Sequence, residues 1–200
     1  MSLYPLLLFI HVSGAICLFI GMGTWLFGNI AIARATRVEQ VRTLADLMLM
    51  ARMAVPVGAF VVIAAGLAMS WIAWGFQTGW IAVALGSLAI IGPIGTWVID
   101  PKVRAIATLA HTLPDGPLPT PLVALTHDSV LRTALHTTTA MMFGIFFLMT
   151  AKPALMVAIG AMVISAFLGV VSAVAFVCAR HAGPSGRNQA ALRSTQHEEP

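Results

Sequence analysis

Two histidines stand inside apolar runs of this 200-residue sequence. An ionisable side chain there is expensive, so each needs a partner or a task. His11 sits in Leu7-Leu8-Phe9-Ile10-His11-Val12-Ser13-Gly14-Ala15, with no polar residue just before it. Positions 11, 14, 18, 21, 25 and 28 read His, Gly, Leu, Gly, Trp, Gly. On a helix this 3-4 spacing puts them on one face, with Gly14, Gly21 and Gly28 as a smooth stripe. Small residues allow two helices to approach closely in lipid. The same stripe also suits a flat cofactor or a partner helix, with His11 as a ligand. A neutral imidazole serves haem iron and copper alike. His136 is the second candidate ligand, in Arg132-Thr-Ala-Leu-His136-Thr-Thr-Thr-Ala140. Thr139 and Ala140 follow on its face, and threonines there can bond back to their own helix.

The other chemistry-bearing residues carry less. His111 and His127 fall in a polar connection, His181 follows Arg180 at a helix end, and His197 belongs to the tail. Solvated or capping roles suit them. Asp100, before Pro101 and near Lys102 and Arg104, reads as a helix terminator with a local ion pair. Cys17 and Cys178 lie in apolar runs without paired spacing and read as packing residues. The eleven methionines are scattered, with no M-x-x-M series of a copper pathway. GxGxxG, Walker, HExxH and Gly-x-Ser-x-Gly motifs are absent.

The elements that must position these residues follow from composition. Apolar residues make up 59% of the chain and charged ones 9%, against about 25% charged in a soluble domain. Mean hydropathy is +0.93. A soluble fold of this size cannot hide so much apolar surface. Five runs are long enough to cross ~30 Å of hydrocarbon: 3–33, 54–76, 79–99, 130–151 and 154–179. The fold class is therefore all-α, a five-helix transmembrane bundle, because lipid leaves no other way to satisfy the backbone. The first run lacks a basic flank and a cleavage site and reads as a retained span.

Gln77-Thr78 and Lys152-Pro153 make tight turns, with Pro153 suited to the first turn of the last helix. Residues 34–53 read as an amphipathic helix entering the second span near Pro56. Residues 113–121, with four prolines, read as a fixed non-helical turn. Trp74 and Trp80 flank an external turn as an aromatic belt would. Ten basic residues fall on one side (Arg34, Arg37, Arg42, Arg52, Lys102, Arg104, Arg132, Arg180, Arg187, Arg193) and Lys152 alone on the other. That asymmetry predicts a multi-pass protein of a bacterial inner membrane, N-terminus outside and C-terminus cytoplasmic. Residues 1–182 form the transmembrane domain, and the polar residues 183–200 a disordered cytoplasmic tail. The net charge of +4 reflects this topology rather than a nucleic-acid partner.

The segment around His11-Val-Ser-Gly-Ala15, followed by Gly21-Met-Gly-Thr-Trp25, resembles the first span of a bacterial membrane superfamily. That group includes CopD-like copper-resistance proteins and HemJ-like protoporphyrinogen oxidases. The nearest resemblance is to an uncharacterised family within it. The resemblance implies a helical bundle, b-type haem or copper, and His11 as the residue carried over. The first functional expectation is a b-type haem protein in electron transfer, with His11 and His136 as ligands and Gly14 and Gly21 beside the cofactor. A membrane redox partner or a second copy would accompany it. A cofactor-free subunit or assembly factor, binding a partner through helix 1, is the alternative. Copper or small-solute transport is a third. Depth complicates a shared haem: His11 and Arg34 are about 35 Å apart along a helix, whereas His136 is roughly 6 Å beyond Arg132. One shared site, two separate sites and no cofactor all remain open.

Overall fold

The structure is a computed structural model and describes residues 3–75 and 77–181. Among these residues no strand forms; Arg37 and Pro117 make one isolated antiparallel bridge. Eight helices are seen: α1 (Leu3–Ile32), α2 (Val38–Met50), α3 (Ala54–Met69), α4 (Gly79–Pro93), α5 (Asp100–Thr112), α6 (Thr120–Thr126), α7 (Ser129–Ala151) and α8 (Leu155–His181). They join into five rods, each long and apolar enough to span a membrane. Large apolar side chains such as Phe9, Phe60, Met156 and Phe167 stay exposed, an outer surface that only lipid solvates well.

Two rods outrun the bilayer furthest. Val38–Ala73 has 36 residues and Gly79–Thr112 has 34, about 50 Å each against ~30 Å of hydrocarbon. Their extra lengths are α2 and α5, which are amphipathic. α2 buries Val38, Val41, Ala45 and Met48, and α5 buries Val103, Ile106, Ala107 and Ala110. These faces pack together into a cap at one end of the bundle. Arg42 fastens it, donating to the Ala110 and Leu113 carbonyls at 3.1 and 2.8 Å and to Asp115 at 2.8 Å. Across the proline-rich turn, the Val38 N–H donates to the Gly116 carbonyl at 2.9 Å. The turn ends earlier than the sequence suggests, because Thr120 opens α6 with Pro121 in its first turn, where the missing N–H costs nothing.

The rods are not uniform helices. A 3₁₀ turn, Ala51–Met53, links α2 to α3. Pro93 ends α4 proper by removing one i→i−4 bond, and the next turn, Ile94–Ile99, widens to π geometry. Thr96 Oγ1 donates to the Gly92 carbonyl at 3.1 Å within that disturbed turn. The chain then continues as α5, so Asp100 does not terminate a helix. Its carboxylate instead ties two rods: Oδ1 lies 2.6 Å from Arg52 Nε, and Oδ2 accepts from Arg104 at 2.6 Å. Asp128 caps α7 by accepting the Leu131 N–H at 2.9 Å, and it pairs with Lys102. All these charges cluster at the cap end.

At the opposite end α7 closes on Lys152, whose φ of 47° is left-handed. α8 begins at Leu155, with the Ala158 N–H bonded to the Ala154 carbonyl at 2.9 Å. Pro153 therefore precedes the first turn of α8 rather than occupying it. The tryptophan expectation also shifts. Trp80 is partly buried, and the Trp74 side chain lies outside the described residues. The exposed pair is Trp71 (79%) and Trp97 (78%), one toward each end of the bundle. The tail at 183–200 lies outside the described residues.

Candidate functional site

The glycine stripe of α1 is a packing seam inside this chain. A Cβ at Gly14 would come within 2.7 Å of Val61 Cγ1, and one at Gly21 within 2.7 Å of Val55 Cγ2. One at Gly28 would come within 2.6 Å of Met48 Cγ. From the other side, a Cβ at Gly58 would meet the Leu18 backbone nitrogen at 2.6 Å and the Gly14 carbonyl at 2.8 Å. α1 and α3 thus touch almost backbone to backbone, as small residues permit. Trp25 completes the seam by donating from Nε1 to the Met48 carbonyl at 3.0 Å. The face that the sequence offers to a flat ring or a partner helix is filled by α3 and α2. Gly14 and Gly21 both lie against α3 in this arrangement.

That close approach positions His11. Its Nδ1 lies 2.9 Å from the Val62 carbonyl on α3. A carbonyl only accepts, so Nδ1 carries the proton, and in the neutral ring Nε2 is bare. The ring lies close against Gly66, where a Cβ would come within 3.2 Å of His11 Cε1. Nε2 makes no hydrogen bond among the described residues.

His11 faces a cavity of about 800 Å³ between α1, α3, α4 and α7. Most of its wall is apolar, from Leu18, Val62, Ile81, Ala84, Leu88 and Ile145, among others. Val12, Ile16 and Ile20 on α1 and Phe146 on α7 line it while staying exposed, so it opens sideways toward lipid. Its polar groups gather toward the end away from the charged cap. Tyr4, Thr150 and Lys152 line that end, with His11 about 10 Å deeper than Tyr4 along α1. Ser70, also on the wall, is spent on the Gly66 carbonyl at 2.9 Å. The Met142 and Met149 thioethers are the soft donors of α7 on the wall.

His136 lies elsewhere. It is 8% exposed and faces α8, with Nδ1 2.8 Å from Ser172 Oγ and the Phe176 ring centroid 6.1 Å away. Its Nε2 is buried without a hydrogen-bond partner. Gly169 makes the fit: a Cβ there would meet Thr137 Cα at 2.5 Å and the His136 carbonyl at 2.9 Å. The residue of α7 on the cavity wall nearest in sequence, Met142, is about 9 Å further along the helix. The two histidines are therefore not brought into one bis-imidazole site.

The remaining candidates are structural. His111 bonds Asp46 at 2.8 Å, tying α5 to α2, and His127 Nδ1 lies 2.9 Å from the Val123 carbonyl. The His181 side chain and His197 lie outside the described residues. Cys17 and Cys178 are free thiols, and Cys17 Sγ sits 3.5 Å from the Ala54 carbonyl in the α1–α3 seam. Among the described residues no group of three or more His, Cys, Asp or Glu side chains is placed to hold a metal ion. Sequence reasoning missed Gly66, Ser172 and Gly169, the residues that seat the two imidazoles. An apolar helix with Gly58 and Gly66 eight residues apart carried a signal for a second close-packed face.

Residues 5–153 match the DUF2269 family, described as a predicted integral membrane protein. The chain belongs to this family. The DUF2269 match covers α1 from Pro5 through α7, including every residue on the cavity wall except Tyr4, whereas α8 lies beyond it. The family description names no wider superfamily and gives no reaction. No curated protein and no solved structure matches the chain.

Proposed function

We propose that this protein binds a large apolar ring molecule drawn from the bilayer, b-type haem, in the cavity between α1, α3, α4 and α7. The observation that carries the reading is His11. Its Nδ1–H is tied to a backbone carbonyl, the arrangement that fixes a ligating histidine's tautomer and aims its other nitrogen. The bare Nε2 belongs to a residue on the wall of an 800 Å³ apolar cavity. His11 would hold the group, with Met69, Met142 and Met149 as the thioether donors on the wall. Haem supplies one-electron exchange when bound. The chain's own residues hold the imidazole in place, exclude water with aliphatic walls and admit the ligand from the side.

The orientation follows from the charges. Among the described residues, seven basic side chains toward the cap end against Lys152 at the other favour a cytoplasmic cap and a cavity in the outer half of the bilayer. Binding a partner through the α1 stripe is the weaker reading, because α3 already occupies that face.

The test is the absorption spectrum and metal content of protein purified from haem-replete cells. The wild type is expected to carry a Soret band and about one iron per chain, and His11→Ala to lose both while keeping its thermal stability. A colourless wild type that stays colourless after haem addition would overturn the proposal. Stoichiometric copper without a Soret band would do the same and move the reading to copper chemistry.

A further inference from the structure

We propose that the ligand of this cavity carries a carboxylate and that Lys152 receives it, with Tyr4 beside it, the Thr150 hydroxyl being spent on the Phe146 and Phe147 carbonyls at 3.1 Å. This rests on the reading of the cavity as a binding site, but not on haem being the occupant. Three observations support it. First, the cavity is polarised along its length. Tyr4, Thr150 and Lys152 line one end, while Leu18, Leu88 and Met142 line the deep part. Such a shape accepts an amphiphile lying along the helices, its apolar body deep and its head at the membrane surface.

Second, Lys152 is the one Lys or Arg on its side of the bundle among the described residues. The remaining positive charge is concentrated at the cap, so attraction for an anion at this mouth falls to this side chain. An ammonium in the half-wet mouth of an apolar cavity makes a strong charge-assisted hydrogen bond to a carboxylate.

Third, Lys152 is the one non-glycine residue with a positive φ among the described residues, at 47°. A left-handed helix terminus is normally given to glycine or asparagine, which adopt it at least cost. A lysine there spends conformational energy to place its side chain at the mouth, and strain of this kind concentrates at ligand clamps. The carboxylate has two natural sources, a haem propionate and a fatty acid, and the test separates them.

Trp80 lines the cavity and reports on occupancy. The purified protein in detergent is titrated with dibrominated stearate, whose bromines quench tryptophan on contact, and with its methyl ester. The medium is kept alkaline enough to ionise the acid, and Trp80→Phe identifies the signal from the cavity. We expect saturable quenching, with the acid binding roughly tenfold more tightly than the ester. Lys152→Gln should abolish that preference, and Lys152→Arg should retain it. Equal binding of acid and ester by the wild type overturns the carboxylate assignment. So does an acid preference that survives in Lys152→Gln, or the absence of saturable quenching by either probe.

Haem and its dimethyl ester are titrated in parallel and read by the Soret band. Acid preference with stearate and no Soret band supports Lys152 while removing haem. A Soret band of equal strength with haem and its diester, together with no acid preference for stearate, removes the Lys152 assignment while keeping haem.

Discussion

Gly58 and Gly23 separate packing from helix propensity at the level of single atoms. Gly58 lies against the α1 backbone, which cannot yield as a flexible side chain would. A methyl group there must force α1 and α3 apart, and overpacking of this kind costs about 1–3 kcal/mol. Gly23, on the same helix as the stripe, has nothing within 4 Å of its hypothetical Cβ. Thermal unfolding in detergent should show Gly58→Ala melting well below wild type and Gly23→Ala unchanged or slightly higher, since alanine favours the helix. Equal melting of the two variants would contradict the backbone seam. Ser172→Ala should also destabilise, by about 1–3 kcal/mol, because it strips the one partner from a buried imidazole. At this scale the sequence was half legible. His11 and His136 stood out because a histidine inside an apolar run must be satisfied. Their partners did not, because one is a backbone carbonyl 51 residues away and the other a serine 36 residues away. No local pattern marks either.

Whole helices were far easier to read, because length and hydropathy act over twenty residues at a time. The five spans, the amphipathic α2 and the break at Leu113 all follow from such averages. The π turn after Pro93 and the continuous passage through Asp100 did not follow, because an isolated proline and an aspartate suggest an ending. Here Arg52 of the neighbouring rod and Arg104 one turn along the same helix both pair with the Asp100 carboxylate and hold the helix through it. The stripe on α1 was legible as a smooth face, whereas its occupant was not, since three glycines fit a ring and a helix equally well. The cap gives a prediction at this scale. Arg42 holds α2 to the end of α5 and to the proline-rich turn by three bonds. Arg42→Ala should leave the transmembrane bundle folded while loosening that turn. Limited proteolysis should then cut within residues 113–119 faster than in wild type. Unchanged cleavage would show that the apolar α2–α5 contact holds the cap without Arg42.

For the whole molecule, composition dictated an inside-out protein, and the charge distribution predicts its direction. Reporter fusions at Gln77 and at the C-terminus are expected to report opposite compartments, with Gln77 outside. The same compartment for both would break the five-span arrangement. The cavity was not legible, because it arises where four helices diverge, and divergence depends on how tightly each pair packs. The α1–α3 seam and the α7–α8 contact at Gly169 are both close, and the open space between α1 and α7 lies between those two tight pairs. We propose this space, with His11 as the imidazole on its wall, as the binding site. The most direct measurement is a haem titration of the wild type, His11→Ala and His136→Ala, each followed by its Soret band. One equivalent is predicted to bind with the same spectrum to wild type and His136→Ala, and none to His11→Ala. Binding that depends equally on His136 would contradict the single-imidazole cavity and require the two histidines to meet.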